Sequence, residues 1–216
     1  MSKSVLDLQN DCLNNSIPCS QLLLKAYAIA RKLNIEEMVY FCRNEMDGYQ
    51  NNSDDVPDYR EVCIDLQLSN GHRWSSVTVS NNSYLSKHSI CQSTKELEIL
   101  CLEKRGIFQI KLTTEQLDIM RKACNNSHIY EGAKIISTYQ LEGIIFKIRR
   151  IILEWAIKLG EDDVWGENLE FTSEEQEKAK NVPSIQIIIN GNVSNSNLAG
   201  ILKDSISNIQ MQDKSK

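Results

Sequence analysis

The sequence predicts an α+β fold, mostly helical, with a small and largely antiparallel sheet. Three observations carry this. Residues 5–48 hold apolar side chains at three- and four-residue steps, the spacing of helices buried on one face. Residues 60–80 change to alternation around a turn. A long apolar stripe then runs from Leu141 to Leu159.

Val5, Leu8, Cys12 and Leu13 predict a first, weak helix, and Leu22, Leu23, Ala26, Ile29, Ala30 and Leu33 a stronger second one. Asn34 reads as an N-cap with Glu37 at the capping-box position. It opens a third helix that turns Ile35, Met38, Cys42 and Met46 inward and stops at Gly48. Val62, Ile64, Leu66 and Leu68 then alternate with polar residues. Ser69-Asn70-Gly71-His72 supplies turn chemistry, and Trp74, Val77 and Val79 form the return strand of a hairpin over 60–80. Trp74 is out of phase with Val77, which places it on the other sheet face or at a bulge.

Ser93 with Glu96, and Thr113 with Gln116, have capping-box spacing and open two further helices. Gly106 ends the first, and Phe108, Ile110 and Leu112 alternate as a strand between them. Ile129 to Ile136 reads as another strand. A central helix over 138–159 follows, with Gly160 as its stop, Trp165 tucked against it, and a short helix capped by Thr172 and Glu175. This gives an α+β domain over 1–181. In the polar C-terminal tail, 182–216, Ile185, Ile187 and Ile189 alternate before an Asn-rich turn. An apolar strand there must add to the sheet or pair with another subunit, so Ile185, Ile187, Ile189, Asn190, Asn192 and Val193 are the candidate oligomerisation residues.

Composition narrows the function classes. The chain has 216 residues, 41% of them apolar, with a net charge of -5. That charge argues against a nucleic-acid coat, which needs a concentrated basic surface. The seven cysteines are scattered without a CxxC pair and read as reduced thiols, neither a zinc site nor a disulfide frame. The opening Met1-Ser2-Lys3-Ser4 lacks a signal-peptide core, so the cytoplasm is the expected compartment, and no stretch is apolar enough for a membrane span. His72, His88 and His128 are isolated, and Glu161, Asp162 and Asp163 do not follow an EF-hand pattern. No metal, cofactor or catalytic motif is therefore expected, although a Cys–His pair assembled in space stays open.

Tyr49, Asp58, Tyr59 and Arg60 are the candidate binding residues, because Arg offers planar charged donors and Tyr a rigid amphipathic surface. A structural reading competes and is preferred. In it the two rings pack on the helices while Arg60 pairs with Asp47 or Asp58 and locks the loop. Lys147, Arg149 and Arg150 read as the solvated face of the central helix, with Arg150, Glu154 and Lys158 spaced for ion pairs.

Several segments, taken in order, resemble the AbiTii family of bacterial abortive-infection proteins. They are Leu8 to Asp11, Leu22 to Ala26 with Ala30 to Leu33, Glu45 to Tyr49, and Pro57 to Arg60. Arg149-Arg150 with Leu153 to Ala156, Gly166-Glu167 with Phe171-Thr172, and Ile189 to Val193 continue the match. Phe41 stands where such proteins often carry tryptophan, Met46 and Asp47 replace the usual Leu and Asn, and Ser69 to Thr138 does not align. The resemblance implies antiphage defence and transfers no catalytic residue. The expected agent is an intracellular, homo-oligomeric protein acting by protein interaction or self-assembly, with a phage-encoded trigger or a toxin as partner. The alternatives are a nuclease-like toxin enzyme whose site is invisible in sequence, and a sensor that controls a partner toxin.

Overall fold

A computed structural model of the chain describes residues 2–50, 56–77, 86–103 and 106–182. The tail residues Ile185, Ile187, Ile189, Asn190, Asn192 and Val193 lie outside the described residues, as does Val79. Among those described, helices α1 (Ser4–Leu13), α2 (Cys19–Leu33) and α3 (Glu36–Asp47) come first. The six residues of the α2 stripe are all buried, and Val5, Leu8 and Cys12 of α1 belong to the same hydrophobic core. Leu13 is exposed instead.

Asn34 differs from its expected role. It takes a left-handed conformation (φ 58°) and ends α2, its N–H donating to the carbonyls of Ala30 and Arg31. Left-handed backbone closes a helix and does not open one, so Ile35 becomes the N-cap of α3. At the far end of α3, Gly48 (φ 85°) does stop the helix.

The alternation from Val62 to Leu68 is interrupted at Ile64, and the strand serves two sheets. β1 (Glu61–Cys63) pairs antiparallel with β4 (Lys87–Ser89), while β2 (Asp65–Ser69) enters a four-stranded antiparallel sheet. The order there is β3-β2-β6-β5, with β3 at Trp74–Val77, β5 at Ile107–Lys111 and β6 at Glu131–Ser137. Trp74 lies opposite Ser69 and Val77 opposite Leu66 in unbroken register, so Trp74 occupies the other sheet face and no bulge is needed.

Helices α4 (Thr94–Cys101), α5 (Thr114–Ala123), α6 (Thr138–Glu161) and α7 (Ser173–Ala179) each open with a complete capping box. Each cap satisfies amide protons that the first helical turn leaves without partners. α6 is the hub, packed against α1, α2 and α4, and Trp155 is its largest buried side chain. Gly160 is not the stop expected of it, because α6 continues to Glu161. A Cβ at Gly160 would lie 2.8 Å from the Trp165 ring, so the glycine makes room for that tryptophan.

The sheet face towards the helices carries two hydrophobic clusters. Phe108, Ile110 and Ile136 join the main core, while Leu66, Leu68 and Leu112 form a second cluster with Met120 of α5 and Ile129. Lys134, opposite Leu66 and Ile110 in the ladder, stands between them.

Candidate functional site

The candidate residues Tyr49, Tyr59 and Arg60 converge on one carboxylate, that of Glu45. In α3 the buried stripe Met38, Cys42 and Glu45 keeps helical spacing, which turns Glu45 into the interior. Gly48 then lets the chain pass close beneath the 91–93 backbone. A Cβ there would meet the Cys91 carbonyl at 2.7 Å, and the next amide, of Tyr49, donates to that same carbonyl at 2.8 Å. Pro57 introduces a single 3-10 turn, Asp58–Arg60, which delivers Tyr59 and Arg60 from the opposite side.

Five donors reach the carboxylate. Glu45 Oε1 accepts from the Tyr49 hydroxyl (2.7 Å), the Tyr59 hydroxyl (2.6 Å) and Arg60 Nε (3.1 Å). Oε2 accepts from Arg60 Nη2 (2.5 Å) and from the Thr94 hydroxyl at the start of α4 (3.1 Å). The remaining guanidinium nitrogen, Nη1, donates to the carbonyls of Ile90 (2.9 Å) and Gln92 (2.7 Å), and the Arg60 carbonyl accepts from the Ile90 amide (2.9 Å). The guanidinium carbon also lies 4.9 Å from the centre of the Tyr49 ring.

Both charged side chains are fully enclosed, each at 0% exposure. A carboxylate has about four lone-pair positions, and five donors here leave none facing a ligand. Burial raises the phenol pKa values of Tyr49 and Tyr59 well above their usual range, and the Glu45 charge adds to the effect. Burial opposes the charge on Arg60, but Glu45 outweighs it and leaves the guanidinium pKa raised. The arrangement therefore holds its protons and joins α3, the 3-10 turn, β4's exit and α4.

Asp58 does not enter this network; it is exposed, and its backbone carbonyl closes the 3-10 turn. Neither Asp47 nor Asp58 is the partner of Arg60. The partner is Glu45, and Thr94 and the carbonyls of Ile90 and Gln92 are further participants that the sequence reading missed. One signal for Glu45 was present, a charged residue on an apolar helical stripe.

The basic residues of α6 also separate. Arg150 pairs with Glu154 at 3.4 Å, as i,i+4 spacing suggests, but Lys158 pairs with Glu161. Arg149 turns inward and donates to the carbonyls of Cys12, Asn14 and Ile17, clamping the α1–α2 connection. Burial pushes the Cys12 thiol up to about 12, and the Cys19 and Cys42 thiols higher still. At neutral pH these thiols stay protonated, the unreactive form. No group of three or more metal-ligating side chains converges among the described residues.

The AbiTii family model matches residues 3–184. The chain belongs to the AbiTii family. Membership associates it with abortive-infection antiphage defence. No curated protein and no solved structure matches it. The AbiTii match spans Glu45, Tyr49, Tyr59, Arg60 and Thr94, so the enclosed network lies within the family region. Among the described residues no helix is long and apolar enough to cross a membrane.

Open surface lies elsewhere. A groove of about 450 Å³ runs between α1 and α2, with Leu8, Leu24, Ala28, Ile29 and Leu169 as its apolar lining and Asp7 and Lys25 at its edge. A smaller hollow of about 390 Å³ on the sheet is lined by Trp74, Lys111, Tyr130 and Glu131.

Proposed function

We propose that this AbiTii protein acts in phage defence inside the cell by protein contact and self-assembly, its Glu45–Arg60 network serving as scaffold. One observation carries the reading. Glu45, Tyr49, Tyr59 and Arg60, in two of the segments that carry the family resemblance, lie in an enclosed network with every carboxylate lone pair occupied, so action falls to the protein's surface. Its partner is a phage-encoded trigger or a toxin protein.

Residues 185–193 are the assembly element in this proposal. Ile185, Ile187 and Ile189 alternate as an edge-seeking strand does. Support comes from β5, which among the described residues has a hydrogen-bonded neighbour on one side only and leaves Ile107 exposed. The test is light scattering and phage plating of the full chain carrying Ile187→Asp with Ile189→Asp. The expected result is a fall to monomer mass together with loss of protection, while Asp58→Ala alters neither. Unchanged mass in the double variant would reject the assembly element, and retained protection by a monomer would reject self-assembly as the mode of action.

A further inference from the structure

We propose that the exposed face of α6 docks on the same face of a second copy, the two helices crossing antiparallel about a two-fold axis with Phe146 of each seated on Gly143 of the other. The proposal deepens the self-assembly reading and rests on it, because the tail contact is what brings the copies together. It starts from a glycine that the chain itself does not explain. Gly143 lies within α6 on its exposed side, and apart from its chain neighbours and the helix backbone no atom of the described residues comes within 4 Å of where its Cβ would stand. A glycine inside a helix costs stability relative to alanine. Gly160, in the same helix, makes room for Trp165. Gly143 makes room for nothing among the described residues, so the socket it leaves fits a side chain from outside.

The residues around the socket identify its occupant. Tyr139, Gly143, Phe146 and Arg150 follow at steps of four, three and four, and so share one face of α6. All four are exposed, Tyr139 at 79% and Phe146 at 67%. Their spacing reads the same in both directions, so an antiparallel copy sets each Phe146 ring against the other's Gly143 and each Tyr139 against the other's Arg150. A large side chain meets the place where one is missing, and a ring meets a guanidinium. Arg150 is free to stack, because only its Nε reaches Glu154, at 3.4 Å, and its two terminal nitrogens have no partner.

The apolar surface continues beyond the crossing. The Cys101 thiol meets the Thr138 carbonyl at 3.9 Å, which holds Leu102, 82% exposed, beside the first turn of α6. In the two-fold arrangement that end lies over Leu153 and Ile157 of the second copy, the next residues of the same stripe. Leu102, Tyr139 and Phe146 are three of the four most exposed large apolar side chains among the described residues, and one contact covers them all. From Tyr139 to Arg150 the helix rises only about 16 Å. The seam therefore orients copies that the tail already holds, and does not sustain a dimer by itself.

The test places p-benzoylphenylalanine at position 139 of the full chain, irradiates a mixture of isotopically light and heavy protein at low micromolar concentration, and records mass by light scattering on the same samples. The expected product is a link between light and heavy chains, from position 139 to residues 149–153, in an oligomeric protein. Gly143→Leu should lower its yield several-fold while raising the thermal midpoint, since leucine fills the socket and is the better helix former. Phe146→Asp should lower the yield as well and leave the mass unchanged. An oligomer without such links would overturn the seam and leave tail-driven assembly standing, whereas a monomeric wild type would overturn both. Links confined to one isotopic label, or an undiminished yield in Gly143→Leu, would overturn the seam too.

Discussion

At the scale of single residues, the Glu45–Arg60 pair has consequences that an exposed ion pair would not. A buried pair repays its desolvation only through complete hydrogen bonding, and removing one partner strands the other charge. Glu45→Gln keeps the shape but leaves the enclosed guanidinium without its counter-charge, and a loss of about 3–5 kcal/mol is expected from the urea midpoint. Tyr59→Phe deletes one bond to a charged acceptor and should lose about 1.5–3 kcal/mol. Asp58→Ala, outside the network, should be near neutral. The phenols add a pH signature. Their folded pKa values lie above the unfolded value of about 10, so their contribution is complete below pH 10. Above pH 10 the unfolded chain loses protons that the folded chain keeps, and stability falls. In Tyr49→Phe with Tyr59→Phe that alkaline slope should flatten, as measured by denaturation midpoints from pH 8 to 11.

At the scale of elements, what was legible in the sequence was local. Ser93, Thr113 and Thr172 each sit three residues before a Glu or Gln, and their capping boxes form as spacing alone predicts. The apolar face of α6 was equally plain. Asn34 misled because a polar residue in a two-residue connection has the chemistry to cap either helix, and its left-handed backbone assigns it to the end of α2 and leaves Ile35 to open α3. The strand break at Ile64 was hidden because alternation continues through it, although Val62 faces His88 in one sheet and Leu66 faces Lys134 in another. Arg149 was read as solvated from its polar neighbours, yet it reaches back across the α1–α2 connection to the carbonyls of Cys12, Asn14 and Ile17. No sequence spacing encodes a contact of that range. Arg149→Ala should therefore lower stability by about 1–3 kcal/mol and raise amide exchange in residues 13–18. Arg150→Ala, which removes only an exposed i,i+4 pair, should change stability by a few tenths of a kcal/mol.

At the scale of the whole molecule, the two hydrophobic clusters share one sheet face and are divided by Lys134, which is 8% exposed. The sequence concealed this, since a lone lysine within Ala133-Lys134-Ile135 reads as an outward residue of an alternating strand, and only the ladder to Leu66 and Ile110 turns it inward. Burial lowers the Lys134 pKa, and it also lowers that of His88, with the Lys134 charge as the second cause. The linkage has a definite sign for both groups. With folded pKa values below the unfolded ones, the unfolded chain binds more protons, and stability is diminished whenever the groups are charged. For His88 stability falls as pH drops through and below 6.5; for Lys134 it is reduced at neutral pH and recovers as pH rises towards 10.5. Lys134→Met keeps the apolar stem and removes the charge, joining the two clusters into a continuous apolar face. It should raise stability at pH 7 by about 1 kcal/mol or more, a gain that shrinks as pH rises towards 10.5. The His88 titration, followed by NMR, should move up towards 6.5 without reaching it, because burial, the larger cause, is left in place. A destabilised Lys134→Met protein with an unmoved His88 titration would mean that the lysine is not held between the clusters as a buried charge.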